Sequence, residues 1–242
     1  MRQTILVTGS SGKLGRAIVA ELVRQGHDVR GYDRVASPAL PTTQIGDLGD
    51  RATLDRAMTG VDCLIHLAAT PDDADFLTEL LPNNLVGLYH VLEAARAAGV
   101  RRLILASSGQ VNWWQQMAGD LPVFEHQPVS PKSWYAATKM FLESIGRSFS
   151  EMHGMSVIAV RIGWCPRPDQ EEEFRNTPSA HDVYLSPGDA GRFFTRCVEA
   201  PSDVRFLIVN ATSRPVRETR LDLTVARQVL GFEPRDQWPE GI

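Results

Sequence analysis

Short apolar segments alternate with longer amphipathic ones along almost the whole chain. This alternation predicts strands over residues 4–8, 27–32, 62–67, 102–107, 156–162 and 205–209. Helical periodicity between them predicts helices over residues 13–25, 50–58, 83–98, 134–153, 188–199 and 218–230. Nearly continuous apolar strands are typical of a parallel sheet that helices cover on both faces. The chain is therefore expected to form a doubly wound α/β fold.

Length, charge and cysteine content limit the classes of protein that this chain can represent. The sequence has 242 residues, which suits one domain, and its net charge of −4 without a basic stripe argues against nucleic-acid binding. The first predicted strand follows Met1 almost at once, which leaves no room for a signal peptide, and no apolar run approaches the ~20 residues that span a membrane. Three widely spaced cysteines are typical of reduced thiols. We expect a cytoplasmic protein with no metal site, no nucleic acid partner and no membrane contact.

A glycine-rich turn follows the first predicted strand and opens the first predicted helix. It has the sequence Thr-Gly-Ser-Ser-Gly-Lys-Leu-Gly over residues 8–15. Gly9 would allow the tight turn, Gly12 would let the backbone approach a pyrophosphate, and Gly15 would allow close packing of helix on strand. The helix N-terminus would supply unpaired N–H groups and a positive dipole to the phosphates. This strand–turn–helix setting predicts a dinucleotide site.

Residues after the second predicted strand bear on which dinucleotide binds. Asp33 could accept hydrogen bonds from both ribose hydroxyls and would repel a 2′-phosphate, which favours NAD. The adjacent Arg34 could hold a 2′-phosphate, so NADP stays open as an alternative. Further along, Asp47 could accept from the adenine amine and Leu48 could cover the ring. A helix N-cap region is the alternative interpretation of Asp47 and Leu48.

Tyr135 and Lys139 lie four residues apart on the predicted helix 134–153 and therefore share one face. A lysine ammonium beside a phenol favours the phenolate, which would lower the pKa of the tyrosine from about 10. Such a phenol can take a proton from an alcohol while a nicotinamide takes the hydride. Combined with the glycine-rich turn, this pair predicts an enzyme.

These motifs, together with others in the same order, resemble the extended short-chain dehydrogenase/reductase family in its epimerase/dehydratase-like branch. The further matching segments are Asp33, Asp47-Leu48, His66-Leu67-Ala68-Ala69, Asn84-x-x-Gly87, Ser107-Ser108 and Arg161-Ile162-Gly163. The resemblance implies one Rossmann-type domain over residues 1–242. In it, residues 1–163 would be mainly the dinucleotide-binding and catalytic core. Residues 164–242 would be a small C-terminal substrate-binding portion, interleaved with the last strand and helix.

The resemblance also implies roles for individual residues. Ser108 would hydrogen-bond the reacting substrate oxygen, Tyr135 would be the acid/base, and Lys139 would bond the nicotinamide ribose. Asn84 would hold the local backbone on the nicotinamide side, and the small residues after His66 would line the cofactor cleft. The expected cofactor-binding residues are Gly9, Ser11, Gly12, Lys13, Leu14, Gly15, Asp33, Arg34, Asp47, Leu48, Leu67, Ala68, Ala69, Asn84, Tyr135, Lys139 and Ile162.

Within that branch the chain is most similar to uronate dehydrogenases, whose Arg-Ile-Gly-x-Cys segment is matched by residues 161–165. An arginine about ten residues later binds the sugar carboxylate in those enzymes, and Arg175 lies near that place. Three glutamates precede Arg175, so a solvated charged turn is the alternative. Trp164 replaces a small residue of the subgroup, which leaves a flatter or more apolar substrate open. The expected substrate-binding residues are Ser108, Gln110, Tyr135, Trp164 and Arg175.

The predicted function is NAD-dependent oxidation of a hydroxyl of a small, uronate-like sugar or sugar acid. An epimerase or dehydratase that returns the hydride to the same substrate is the alternative, and a non-catalytic NAD(P)-binding regulator is the third. His66 ends a buried strand and is expected to be a hydrogen-bonded core residue. The apolar faces of helices 83–98 and 134–153 could form a homodimer interface as in many relatives, or could equally bury against the sheet.

Overall fold

The computed structural model of the chain describes residues 2–37, 40 and 42–240, and the ends of the expected domain at residues 1, 241 and 242 lie outside these ranges. Within them, seven parallel strands form one sheet in the order β3-β2-β1-β4-β5-β6-β7. The strands are β1 (Thr4–Thr8), β2 (Asp28–Asp33), β3 (Thr43–Ile45), β4 (Cys63–His66), β5 (Arg102–Ser108), β6 (Ser156–Ile162) and β7 (Phe206–Ala211). The chain winds outward in both directions from β1 and β4, which confirms the doubly wound parallel sheet.

Helices cover both faces of the sheet. In chain order they are α1 (Lys13–Arg24), α2 (Arg51–Met58), a π-helical segment (Phe76–Val86) that runs on into α3 (Gly87–Ala97), α4 (Trp113–Ala118), α5 (Trp134–His153), α6 (Glu171–Arg175), α7 (Pro187–Val198) and α8 (Thr224–Leu230). None of these helices combines the length and the apolar character needed to cross a bilayer, and this holds for the described residues.

The strand β1 shows why the sheet must be covered on both sides. Ile5 and Val7 pack into a cluster with α1, α7 and α8, whereas Leu6 points to the opposite cluster with α2, α3 and α5. Successive side chains of a strand alternate between faces, so a strand whose three central residues are all apolar needs an apolar partner on each side. Each such side chain contributes roughly 1.5–3 kcal/mol when it is buried.

Two elements, β3 and the helical segment before α3, differ from the sequence-based expectation. The strand β3 was not predicted, because its three residues are half-buried or exposed at the sheet edge and carry no apolar run. The expected helix start at residue 83 is wrong, since helical structure begins at Phe76 with Asp75 as its cap. Pro82 lies inside this π-helical stretch. Proline lacks the N–H that an α-helix would use, and for this reason the sequence favoured a later start.

The last predicted helix also begins later than expected. It starts at Thr224 and not at residue 218, because the preceding residues run alongside Val123, with Leu221 opposite it. The inner faces of α3 and α5 bury Val91 and Leu142 against the sheet. Their outer faces leave Tyr89 and Phe141 exposed. Burial against the sheet and a possible homodimer interface thus involve different faces of the same helices, and the homodimer stays a prediction.

Candidate active site

The glycine-rich turn joins β1 to α1 with backbone contacts that exclude larger residues at two of its three glycines. Gly9 has a φ of +73°, and a Cβ there would lie 2.8 Å from the backbone nitrogen of Ala68. A Cβ on Gly15 would lie 2.1 Å from the carbonyl oxygen of Gly9. The tight turn and the close helix–strand packing predicted for Gly9 and Gly15 are therefore present.

Gly12 is different, because it has room on the protein side. A Cβ there would meet only the Gly9 carbonyl oxygen, at 3.4 Å. Gly12 is also the N-cap residue of α1 and provides no side-chain cap. Among the described residues no side chain caps the first turn of α1, so its N–H groups can donate to a phosphate. This geometry is compatible with a pyrophosphate, whose contact with Gly12 stays a prediction.

Substituting Gly12 separates cofactor binding from folding. In Gly12→Ala the added methyl would stand where a phosphate approaches, so we expect the NAD dissociation constant to increase at least about tenfold, with little change in Tm. Gly15→Ala is the matched comparison, because its methyl would clash with backbone and should lower Tm strongly. Calorimetric NAD titration and thermal unfolding measure the two effects. Unchanged NAD affinity in Gly12→Ala would contradict the phosphate site.

Asp33 fixes the glycine-rich turn to the end of β2. Its carboxylate accepts a hydrogen bond from the Ser11 N–H at 2.9 Å, and the Ser11 hydroxyl donates to the carbonyl oxygen of Val35 at 2.9 Å. A fixed carboxylate beside the turn is suited to ribose hydroxyls and disfavours a 2′-phosphate. Arg34 is exposed. The ammonium of Lys13 donates to the carbonyl oxygen of Pro166 at 2.6 Å and so ties α1 to the loop after β6.

The residues expected at the adenine lie between β3 and α2. Asp47 is exposed, and its carboxylate accepts from the Gly49 N–H at 2.9 Å. Asp50 caps α2 by accepting from the Thr53 N–H, so the N-cap interpretation of Asp47 is wrong. Leu48 is half-buried beside α3. Contacts of Asp47 and Leu48 with adenine stay predictions.

The segment after β4 borders the glycine-rich turn. Leu67, Ala68 and Ala69 are half-buried there, as a cleft lining requires. His66 lies 2.8 Å from the Thr8 hydroxyl, and burial, then the charge of Lys139, lowers the pKa of His66 to about 3. It is therefore a neutral core residue, as expected from the sequence.

Asn84 connects this segment to α5. Its buried side chain bonds both the N–H and the carbonyl oxygen of Thr70, at 2.8 and 3.1 Å, and donates to the Thr138 hydroxyl at 3.2 Å. These contacts agree with the expected role of Asn84 in holding the local backbone. Leu14 and Ile162 are half-buried and pack against the core beneath the cleft.

The three expected catalytic residues come together at the C-terminal edge of the sheet. Ser108 ends β5, and Tyr135 and Lys139 lie in the first turns of α5. The Lys139 ammonium is 5.5 Å from the centre of the Tyr135 ring and donates to the carbonyl oxygen of Ala106 at 2.9 Å. The Ser108 side chain lies close enough to Tyr135 to lower the pKa of the tyrosine, and its hydroxyl accepts from the Gln110 N–H at 3.2 Å. This arrangement suits proton transfer at the Tyr135 hydroxyl.

Burial is the largest influence on the pKa values of Tyr135 and Lys139. It raises the pKa of Tyr135, and the charge of Asp72 raises it further, whereas Ser108 and Arg167 lower it. Burial lowers the pKa of Lys139 to about 8. The Tyr-x-x-x-Lys spacing predicted a lower pKa for Tyr135, and this prediction is wrong for the structure, because desolvation raises that pKa.

A buried ion pair links β6 to α5, next to the three residues expected to be catalytic. Arg161 on β6 pairs with both carboxylate oxygens of Glu143 on α5, each at 2.8 Å, and donates to the Asn112 side chain at 2.6 Å. Ser107 donates to the same carboxylate at 2.6 Å. The Arg161–Glu143 pair was not predicted. An arginine within a buried strand was the signal, because a buried charge needs a partner.

Four polar side chains from three loops meet at the mouth of the site. The Asp72 carboxylate accepts from Gln110 at 3.2 Å, from Arg167 at 2.8 Å and from Gln170 at 2.9 Å. We call Asp72, Gln110, Arg167 and Gln170 the Asp72 cluster. Only Gln110 among them was expected at the substrate. Asp72, Arg167 and Gln170 were missed because each belongs to a loop without a recognisable motif.

The two other expected substrate residues have different surroundings. The Trp164 indole N–H donates to the Gln170 side chain at 3.4 Å, and its ring packs edge-on against Phe174 at 5.1 Å. Trp164 therefore supports the loop that carries the Asp72 cluster. Arg175 is exposed at the end of α6. Its proposed contact with a substrate carboxylate stays untested, whereas Arg167 lies at the mouth of the site.

The chain is similar to known sugar dehydrogenases over most of its length. The profile of the NAD dependent epimerase/dehydratase family matches residues 5–166. An L-arabinose 1-dehydrogenase (NAD(P)(+)) of Haloferax volcanii is 32% identical over 247 residues, covering 96% of this chain and 96% of the relative. A uronate dehydrogenase of Pseudomonas syringae pv. tomato is 29% identical over 213 residues, covering 86% of this chain and 74% of the relative.

The fold of the chain is also similar to that of a solved sugar-acid dehydrogenase. A mutant uronate dehydrogenase from Agrobacterium tumefaciens, crystallised with NAD, is 25% identical and superimposes with a TM-score of 0.80. The match covers 98% of this chain and 86% of that one. These similarities confirm the expected resemblance, the fold, the enzymatic nature of the chain and NAD as its cofactor.

Proposed function

Because this chain belongs to the NAD-dependent epimerase/dehydratase family, we propose that it is a dehydrogenase of a small sugar or sugar acid with Ser108, Tyr135 and Lys139 as its catalytic set. Two of its relatives are named as dehydrogenases of a sugar or a uronate. The observation that carries the finer proposal is the convergence of Ser108 and Lys139 on Tyr135 beside the glycine-rich turn. One relative is named for oxidation at position 1 of L-arabinose, so the hemiacetal hydroxyl at C1 is the proposed reacting group.

In the proposed reaction Tyr135, Ser108 and Lys139 each have a separate role. Bound NAD supplies the acceptor for the hydride that leaves the sugar carbon. Tyr135 takes the proton of the hydroxyl on that carbon, so that the carbon–oxygen bond becomes a double bond. Ser108 donates a hydrogen bond to the same oxygen and stabilises its developing negative charge. Lys139, held by the Ala106 carbonyl, favours the phenolate of Tyr135 when it is protonated.

The cofactor site is assigned to the start of α1 and the end of β2. The uncapped first turn of α1 would hold the pyrophosphate, and Asp33 would hold the adenosine ribose. Because a 2′-phosphate would face the Asp33 carboxylate, NAD should be used in preference to NADP.

A parallel assay of sugars, uronates and small hydroxy acids with NAD and with NADP tests the proposed function. We expect net reduction of NAD by at least one sugar or sugar acid, and at least about tenfold lower kcat/KM with NADP. The absorbance of the reduced nicotinamide measures both. Retained cofactor without net reduction would instead indicate an epimerase, and NAD binding without any turnover would indicate a non-catalytic protein.

A further inference from the structure

The Asp72 cluster is assembled from the ends of three adjacent strands. Asp72 follows β4, Gln110 follows β5, and Arg167 and Gln170 follow β6. Ligands of doubly wound sheets bind at this edge, outside the carboxyl ends of the strands. The cluster therefore lies where a substrate, and not the adenine end of a cofactor, would be expected.

The Asp72 cluster lies next to Tyr135. Asp72 has a φ of 58°, a left-handed conformation that residues other than glycine rarely adopt, and its carboxylate accepts from Gln110. The charges of Asp72 and Arg167 both act on the Tyr135 hydroxyl. The neighbouring Asp73 accepts from the Tyr135 N–H at 3.2 Å. The cluster and Tyr135 thus form one site.

The charge of Arg167 is already compensated in this arrangement. Its guanidinium lies 2.8 Å from the Asp72 carboxylate, and both side chains are partly exposed, at 37% and 39%. The carboxylate of a uronate at this place would have to displace Asp72 from Arg167. Sugar hydroxyls, in contrast, can donate to the carboxylate of Asp72 and accept from the amides of Gln110 and Gln170 without breaking the ion pair.

From this balance we propose that the Asp72 cluster is the sugar-binding subsite and that it selects uncharged aldoses over uronates. The proposal rests on the proposed function, because it assumes that Tyr135 oxidises a sugar hydroxyl. It adds the substrate class and assigns Asp72 and Arg167 as the residues that determine it.

Two matched series of sugars test the selectivity. L-arabinose, D-galactose and D-galacturonate share their ring configuration and differ at C5, which carries hydrogen, hydroxymethyl or carboxylate; D-xylose, D-glucose and D-glucuronate form the second series. With saturating NAD, we expect kcat/KM for the neutral members of the better series to exceed that of its uronate at least about tenfold. A uronate used as well as its neutral partners would overturn the selectivity and leave the proposed function standing. Absence of NAD reduction by all six would overturn the proposed function itself.

Two variants, one that removes a negative charge and one that removes a positive charge, test whether Asp72 and Arg167 determine the selectivity. Asp72→Asn removes the negative charge, and asparagine tolerates a left-handed φ, so the fold should be retained. The ratio of neutral to uronate kcat/KM should fall at least about tenfold, because Arg167 becomes available to a carboxylate. Arg167→Gln removes the positive charge, and the ratio should rise.

Asp169→Asn is the matched control. Its carboxylate lies 3.5 Å from Arg167 on the solvent side and is 70% exposed, so the ratio should stay within about twofold of the wild type. Thermal unfolding confirms that each variant is folded. An unchanged ratio in Asp72→Asn, or the same direction of change in Asp72→Asn and Arg167→Gln, overturns the assignment.

Discussion

Tyr135→Phe should lose turnover by about 100- to 10,000-fold while binding NAD as the wild type does. The substitution removes one oxygen atom and leaves the ring that lies beside Lys139. No other hydroxyl in the catalytic set is placed to take the proton, because Ser108 donates its hydrogen bond to the reacting oxygen in this mechanism. Steady-state kinetics with the best sugar and calorimetric NAD titration measure the two properties.

Tyr89→Phe is the control for this substitution. Tyr89 is 60% exposed on α3, so the same chemical change there should leave kcat unchanged. A Tyr135→Phe variant that keeps more than about a tenth of wild-type kcat would show that another group accepts the proton.

The same tyrosine should set the pH dependence of oxidation. Because burial, and then the charge of Asp72, raises its pKa, little phenolate is present near neutral pH. The reaction needs the phenolate, so kcat/KM should increase as the pH rises from about 7. The increase should flatten above about pH 8, where Lys139, whose pKa burial lowers to about 8, loses the charge that favours the phenolate. A profile that falls over this range would contradict Tyr135 as the base.

Arg161→Leu should lower the free energy of unfolding by about 3–5 kcal/mol, the largest stability effect we expect from a single substitution. Arg161 is 1% exposed and pairs with Glu143 through two hydrogen bonds of 2.8 Å. Its removal would leave the buried Glu143 carboxylate with Ser107 as its one remaining hydrogen-bond donor among the residues that the structure describes. The Arg161–Asn112 contact, which fixes the segment after Ser108, would also be lost. Urea unfolding measures the change.

The double variant separates loss of the pair from loss of packing. Arg161→Leu combined with Glu143→Leu replaces both charges by apolar groups and should recover at least about half of the lost stability. Arg96→Leu is the surface control, because its ion pair with Glu93 is 45% and 24% exposed and should contribute less than about 1 kcal/mol. A single Arg161→Leu variant within about 1 kcal/mol of wild type would show that Glu143 is protonated or hydrated without its partner.

The features that could be predicted from the sequence are those whose motif lies within one contiguous segment. The turn over residues 8–15 was recognised because its spacing reports a positive φ at Gly9 and a close backbone approach at Gly15, both of which require glycine. The Tyr135–Lys139 spacing places two side chains on one helical face in any fold. The start of the helix at Phe76 was missed, because Pro82 is usually a boundary and here lies within a π-helical turn.

The sequence by itself therefore determined the doubly wound sheet and the glycine-rich turn, and it singled out the tyrosine that we propose as the acid/base, since apolar periodicity and local spacing are properties of neighbouring residues. Only the tertiary structure decided the surroundings of that tyrosine. Asp72 and Arg167 are 95 residues apart in the chain and meet only because β4 and β6 end at the same edge of the sheet. Burial, which raises the pKa of Tyr135, likewise exists only after the loops have packed. Contacts between distant loops and the desolvation they cause depend on the path of the whole chain, and no local pattern encodes them.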